Sequence, residues 1–119
     1  MKFKKTKKVK NSTLKRKADI LFSKKVRSRG VCQLKGLDNV KCSQVLQCAH
    51  IIGRANLRLR WDERNALCIC SGHHVYYTYH PLYWRELMIL YFSSNWNYVL
   101  TVEQEKVKVD YMELLLRLA

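Results

Sequence analysis

The chain has 119 residues and a formal net charge of +14, from 23 Lys plus Arg against nine Asp plus Glu. That length suits one domain rather than two, and a core this small is often helped by a metal or by disulfides. An apolar fraction of 48% with three Trp, seven Tyr and three Phe excludes a chain disordered throughout.

Residues 1–12, MKFKKTKKVKNS, read as a disordered basic arm. From Thr13 a helix is expected, with Leu14, Ala18, Leu21, Phe22 and Val26 on one face and Gly30 as its stop. Residues 31–45 read as a loop punctuated by Gly36 and Asp38-Asn39. Val45–Ile52 and Ala66–Ile69 read as short strands, separated by a polar loop over 53–65. Ser71 is expected to cap a helix running to about Tyr79. Pro81 suits the first turn of a core helix over Leu82–Phe92. Alternation over Lys106–Val109 suggests an exposed strand or extended segment. Asp110 with Glu113 forms a capping-box pattern before a final helix, Tyr111–Leu118.

The positive charge is concentrated at one end. Residues 1–29 hold 13 basic residues and one acid, Asp19, whereas residues 30–119 hold ten basic and eight acidic. Such an arm is an electrostatic footprint for a polyanion, a solubilising tail being the blander alternative. No continuous apolar segment follows the basic start. The uncharged stretch Leu87–Val102 is interrupted by Ser93, Ser94, Asn95 and Asn97 and is shorter than the roughly 20 residues a membrane span needs. A soluble cytoplasmic protein with no membrane partner is expected. In a reducing compartment, five cysteines, an odd number, point to metal binding rather than disulfides.

The chemistry is concentrated in LQCAHIIGRANLRLRWDERNALCICSGHH, Leu46–His74. His50 ends the first strand, Asn65 opens the second, and His74 lies nine positions later in a helix. This order and spacing resemble the HNH nucleases. The phrases LKRKADILFSKKVRSRG, LQCAHIIGR, LRWDERNALC and VKVDYMELLLRL make the chain similar, over roughly residues 13–118, to the phage recombination nucleases of the NinG type. The resemblance implies an α+β fold, a small ββα-metal core flanked by helices, as one domain over 13–119. It implies a DNA endonuclease acting with Mg²⁺ or Mn²⁺, with branched or junction DNA among its substrates, in a phage-infected or prophage-bearing cell. His50 would be the general base and His74 a ligand of the catalytic ion. Asn65 would ligate that ion or fix the loop that orients His50. Many relatives carry Asp just before the first His. Ala49 stands there and cannot ligate, so Asp62 becomes the candidate for the missing ligand, with His80 a weaker one. Asp62 pairing with Arg58 or Arg64 is the alternative.

Cys32, Cys42, Cys70 and His73 make a tetrahedral set for a structural Zn²⁺. Cys70-x-x-His73 has a knuckle spacing and stands where relatives carry Cys-x-x-Cys. Cys68 is a rival ligand, sharing a face with Cys70 if the strand is regular. Cys48 packs as a small hydrophobe. Arg54, Arg58, Arg60 and Arg64, in the loop between the strands, would hold phosphates if they face the same groove as His50, with Lys15, Arg16, Lys24, Lys25 and Arg27 of the first helix adding to the footprint. Tyr76, Tyr77, Tyr79, Tyr83 and Trp84 fit a core better than a base-stacking surface. Two other functions are compatible with these residues. Ala49 favours a catalytically inactive, zinc-containing nucleic-acid-binding module on an HNH scaffold. An accessory protein that binds recombination partners through its C-terminal helix is the other.

Overall fold

The structure, a computed structural model, describes residues 8–119, so most of the expected arm lies outside the described residues. Lys8–Lys10 are irregular and exposed, and helix α1 (Asn11–Arg27) starts two residues earlier than its apolar pattern suggests. Its buried residues are Leu14, Ala18, Phe22 and Val26, one stripe at helical spacing.

Strands β1 (Leu46–His50) and β2 (Ala66–Cys70) form a two-stranded antiparallel sheet, with Cys48 opposite Cys68 and His50 opposite Ala66. Both faces of this hairpin are covered, which is why β2 is an unbroken run, Ala-Leu-Cys-Ile-Cys, buried at every position. Ala66 and Cys68 pack with Ala18, Phe22 and Val26 of α1 and with Leu114 and Leu118 of α5 (Tyr111–Leu118). Leu67 and Ile69 pack the other way, in a cluster with Ala49, Tyr77, Met88 and Val99. That second layer is built from α2 (Ser71–Tyr79), α3 (Pro81–Tyr91) and α4 (Ser93–Val102). The outer edge of β2 is closed by Gln33, whose backbone N–H donates to Cys68 O and whose side chain accepts from Cys68 N, each at 2.8 Å.

Three local expectations change. The N-cap of α2 is Cys70, not Ser71. Its Sγ accepts from the His73 N–H, so the strand passes into the helix without a spacer. Helix α4 was not expected, because Ser93, Ser94, Asn95 and Asn97 dilute its apolar pattern. Its helical face comes from Val99 and Val102, which are buried in the α2–α4 cluster with Trp96 packed beside them. Lys106–Val109 has no regular structure and pairs with no strand among the described residues. At α5 the expected cap forms, Asp110 Oδ1 accepting from Glu113 N at 3.2 Å. No described helix is long and apolar enough to cross a membrane.

Leu114 is 5% exposed and Leu116, on the opposite side of α5, is 77% exposed. Leu114→Ala is expected to lower unfolding free energy by about 2–5 kcal/mol. Leu116→Ala should shift it by less than about 0.5 kcal/mol. Urea unfolding curves of the two variants check this ranking.

Candidate metal centre and histidine cleft

Cys32, Cys42, Cys70 and His73 converge, their ligand atoms all lying within 4.8 Å of one another. His73 Nδ1 is 3.6 Å from Cys32 Sγ, 3.6 Å from Cys42 Sγ and 3.0 Å from Cys70 Sγ. A tetrahedral zinc with ordinary Zn–S and Zn–N bonds places sulfur and nitrogen about 3.5 Å apart, so the donor set can hold such an ion. Local chain geometry explains the convergence. Gly36 takes φ +79°, a left-handed turn that brings the segment carrying Cys42 back toward Cys32. At Gly72 a Cβ would meet the Lys41 carbonyl at 3.1 Å, so glycine there eases the close approach of the knuckle and the Cys42 loop. Burial opposes a Cys70 thiolate. Hydrogen bonds from His73 and Ser43 outweigh it and bring the thiol down to about 6.

Asp38, between the two loop cysteines, orients the imidazole. Its Oδ1 lies 2.8 Å from His73 Nε2 and its Oδ2 accepts from the Tyr77 hydroxyl. Burial would raise the Asp38 carboxyl, but these bonds hold it below the usual carboxylate range. A carboxylate on the far nitrogen fixes the tautomer that leaves Nδ1 free for a metal. No spacing rule marks Asp38 in the sequence. Cys68 is not part of the set. The strand alternation ends at Cys70, and the Cys68 thiol lies with the α1 layer, 4.0 Å from Arg27 O. Cys48 sits opposite it, half-buried.

His50 and His74 line one cleft of about 470 Å³ together with Asp19, Phe22, Ser23, Cys48, Gly53 and Arg54. His50 Nε2 is 2.8 Å from the Arg60 carbonyl, which can only accept, so Nε2 carries the hydrogen and Nδ1 the lone pair of the neutral ring. The ring packs against Phe22 at a centroid distance of 5.6 Å. Burial holds the His50 imidazole below its usual 6.5, and the Arg54 cation pushes the same way. His74 is also lowered by burial, and its Nδ1 is 2.7 Å from Gln47 Oε1, which leaves Nε2 as its open nitrogen. A neutral imidazole with a fixed proton on its far side can accept a proton at its other nitrogen.

Asn65 is fully buried at the root of the loop between the strands. Its Oδ1 accepts from Ile52 N at 2.8 Å, and its Nδ2 donates to Ile52 O at 2.9 Å and Leu59 O at 3.0 Å. The carboxamide therefore ties the two ends of the loop together, an arrangement that suits the loop-fixing role of its two expected ones. Asp62 is not brought to the histidines. It lies outside the histidine cleft, with Oδ1 accepting from Arg64 N and Oδ2 taking Arg58 and the Tyr98 hydroxyl. His80 is exposed, stacked on Tyr83 at 5.6 Å and tilted against Tyr76 at 4.4 Å.

The four loop arginines do not share one groove. Only Arg54 lines the histidine cleft, and it is exposed. Arg60 is 16% exposed and grips Asp19 through two bonds of 3.0 and 2.6 Å. Arg58 pairs with Asp62 and Glu105, and the Arg64 guanidinium lies 3.5 Å from the centroid of the Tyr98 ring. Arg58 and Arg64 open instead onto a second groove beside α5. On α1, Arg16, Lys24 and Arg27 are exposed, Lys25 reaches Glu63 at 3.9 Å, and Lys15 lies over the Tyr111 ring at 5.9 Å. Comparison with protein-family models, with curated proteins and with solved structures gives no match to this chain.

Full-length protein is expected to hold one equivalent of zinc by elemental analysis, and Cys70→Ser to lose it while Cys48→Ser keeps it. Asp38→Asn should weaken zinc binding about 10- to 100-fold in a competition titration with a chromogenic chelator.

Proposed function

We propose that the chain is an HNH-type DNA endonuclease, related to the NinG-type recombination nucleases, whose Cys32, Cys42, Cys70 and His73 carry a structural zinc. The observation that carries the reading is the His50 imidazole, pinned by the Arg60 carbonyl with its other nitrogen unbonded among the described residues, in a cleft shared with His74 and Arg54. In this mechanism His50 Nδ1 takes the proton from the attacking water. Arg54 binds a phosphate oxygen at the cleft, and Arg16, Lys24 and Arg27 hold the flanking backbone. His74 offers Nε2 to a divalent ion, Mg²⁺ or Mn²⁺. When bound, such an ion supplies Lewis acidity for the charge developing on the scissile phosphate and the leaving oxygen. His74 would be the one protein ligand the cleft offers such an ion, the cleft's carboxylate, Asp19, being paired with Arg54 and Arg60. Branched DNA is the substrate class the family resemblance favours.

The alternative of a zinc-containing nucleic-acid-binding module without activity is favoured by Ala49 and by Asp19, the carboxylate lining the cleft, being held by arginines. Incubation with supercoiled plasmid and with a four-way junction, in Mg²⁺, Mn²⁺ or EDTA, separates the two. Metal-dependent cutting that falls at least about 100-fold in His50→Ala, with DNA binding retained, supports the nuclease. Binding without cutting in every metal leaves the binding module.

Two further outcomes are expected. As pH falls, the cutting rate should hold through neutrality and decline only below 6.5, because protonation removes the basic form of His50 and its imidazole lies under that value. Removing residues 1–10, with Lys2, Lys4, Lys5, Lys7, Lys8 and Lys10, should flatten the slope of log Kobs against log salt by up to about 5.

A further inference from the structure

Asp19 is the lone acid in the first 29 residues, on a helix whose other charges are all basic. A carboxylate beside a phosphate-binding cleft weakens polyanion binding. This one makes a specific set of bonds instead. Oδ1 accepts from Arg60 Nε at 3.0 Å and from the Trp61 indole N–H at 2.9 Å, and Oδ2 accepts from Arg60 Nη2 at 2.6 Å. Arg54 Nη1 stands 4.0 Å away. The residue so gripped is the one whose carbonyl accepts from His50 Nε2. Phe22, three positions along α1 from Asp19, packs against the His50 ring. One helix thus braces both the face of the imidazole and the backbone group that sets its tautomer. The pair is largely buried, and burying an ion pair carries a desolvation cost that works against its attraction, so stability alone is a weak reason for it.

We propose that Asp19 is a positioning residue for His50, holding the Arg60 carbonyl in place through the Arg60 guanidinium and the Trp61 indole. It acts without touching substrate, and the proposal rests on the reading of His50 as the general base. Loss of the clamp frees the 60–61 backbone, and the imidazole can then rotate or exchange tautomers. Misplacement of about 1 Å at a reacting group can cost 100-fold in rate.

The test uses the full zinc-loaded chain. Asp19→Asn should lower single-turnover cutting 10- to 100-fold while binding to uncut DNA is unchanged or tighter, since a negative charge leaves the cleft. Nitrogen-15 spectra of the histidines should show His50 protonated at Nε2 in the parent chain and as a mixture of tautomers in Asp19→Asn. Arg60→Ala should reproduce both effects, and the double variant should be no slower than either single one. Asp19→Glu should recover part of the rate. If Asp19→Asn does not fold, Arg60→Ala carries the same comparison. Parent-like cutting with a parent-like His50 spectrum, or independent multiplication of the two single losses, overturns the proposal. If the parent chain cuts nothing, the nuclease reading fails by itself, and the His50 spectra still decide whether Asp19 sets that ring.

Discussion

A single buried carboxamide organises the region on which everything else converges. Asn65 closes the 52–65 loop by bonding to both backbone groups of Ile52 and to the Leu59 carbonyl. Polar groups that would otherwise be stranded in the core are satisfied from one side chain. With the loop ends fixed, Arg60 and Trp61 meet Asp19 on α1, Asp62 meets Arg58, Arg64 and Tyr98, and the Arg60 carbonyl meets His50. An aspartate at this position would replace a donor to two carbonyls by a repelling oxygen, and the arrangement would be lost from its root.

The two chemically loaded clusters share the hairpin but divide its faces. The Cys32, Cys42, Cys70 and His73 set lies where β2 turns into α2, and its orienting carboxylate, Asp38, also ties down Tyr77 in the α2 layer. The histidine cleft lies toward α1, between His50 at the end of β1 and His74 one position after the metal-set histidine. Adjacent histidines thus serve opposite ends of the site. His73 is fully buried, whereas His74 is half-buried at the cleft wall. Holding the first in place fixes the start of α2, and so the rotation of the second about the helix axis.

Much of this was legible in the residues. The cysteine count with Cys70-x-x-His73 marked the metal set, and the spacing of His50, Asn65 and His74 marked the residues that gather around the hairpin. What the sequence hid was mostly determined by tertiary partners. Asp62 looked like the nearest carboxylate because it is close along the chain to Asn65, yet the loop turns it away, and the carboxylate at the cleft comes from α1. The four arginines looked equivalent, although the closed loop sends Arg54 to the cleft, Arg60 to Asp19, and Arg58 and Arg64 to the far groove. Helix α4 has too many Ser and Asn residues to stand out, and its identity depends on its packing against α3 and the turn at Glu63–Asn65. The lone acid in a basic helix was a readable signal for Asp19, and it points inward to structure rather than outward to DNA.

The four converging ligands also change the connectivity of the chain. Cys32 and His73 are 41 residues apart, and a metal joining them turns β1, the loop and β2 into a closed ring. An ion bound by the folded chain and released on unfolding adds its binding free energy to the stability of that ring. The ring also makes the loop tolerant of a break. If the backbone were severed between Cys42 and Cys70, an ion held by this set would add a bridge between the two pieces to the β1–β2 pairing and the α1–α5 packing that already join them.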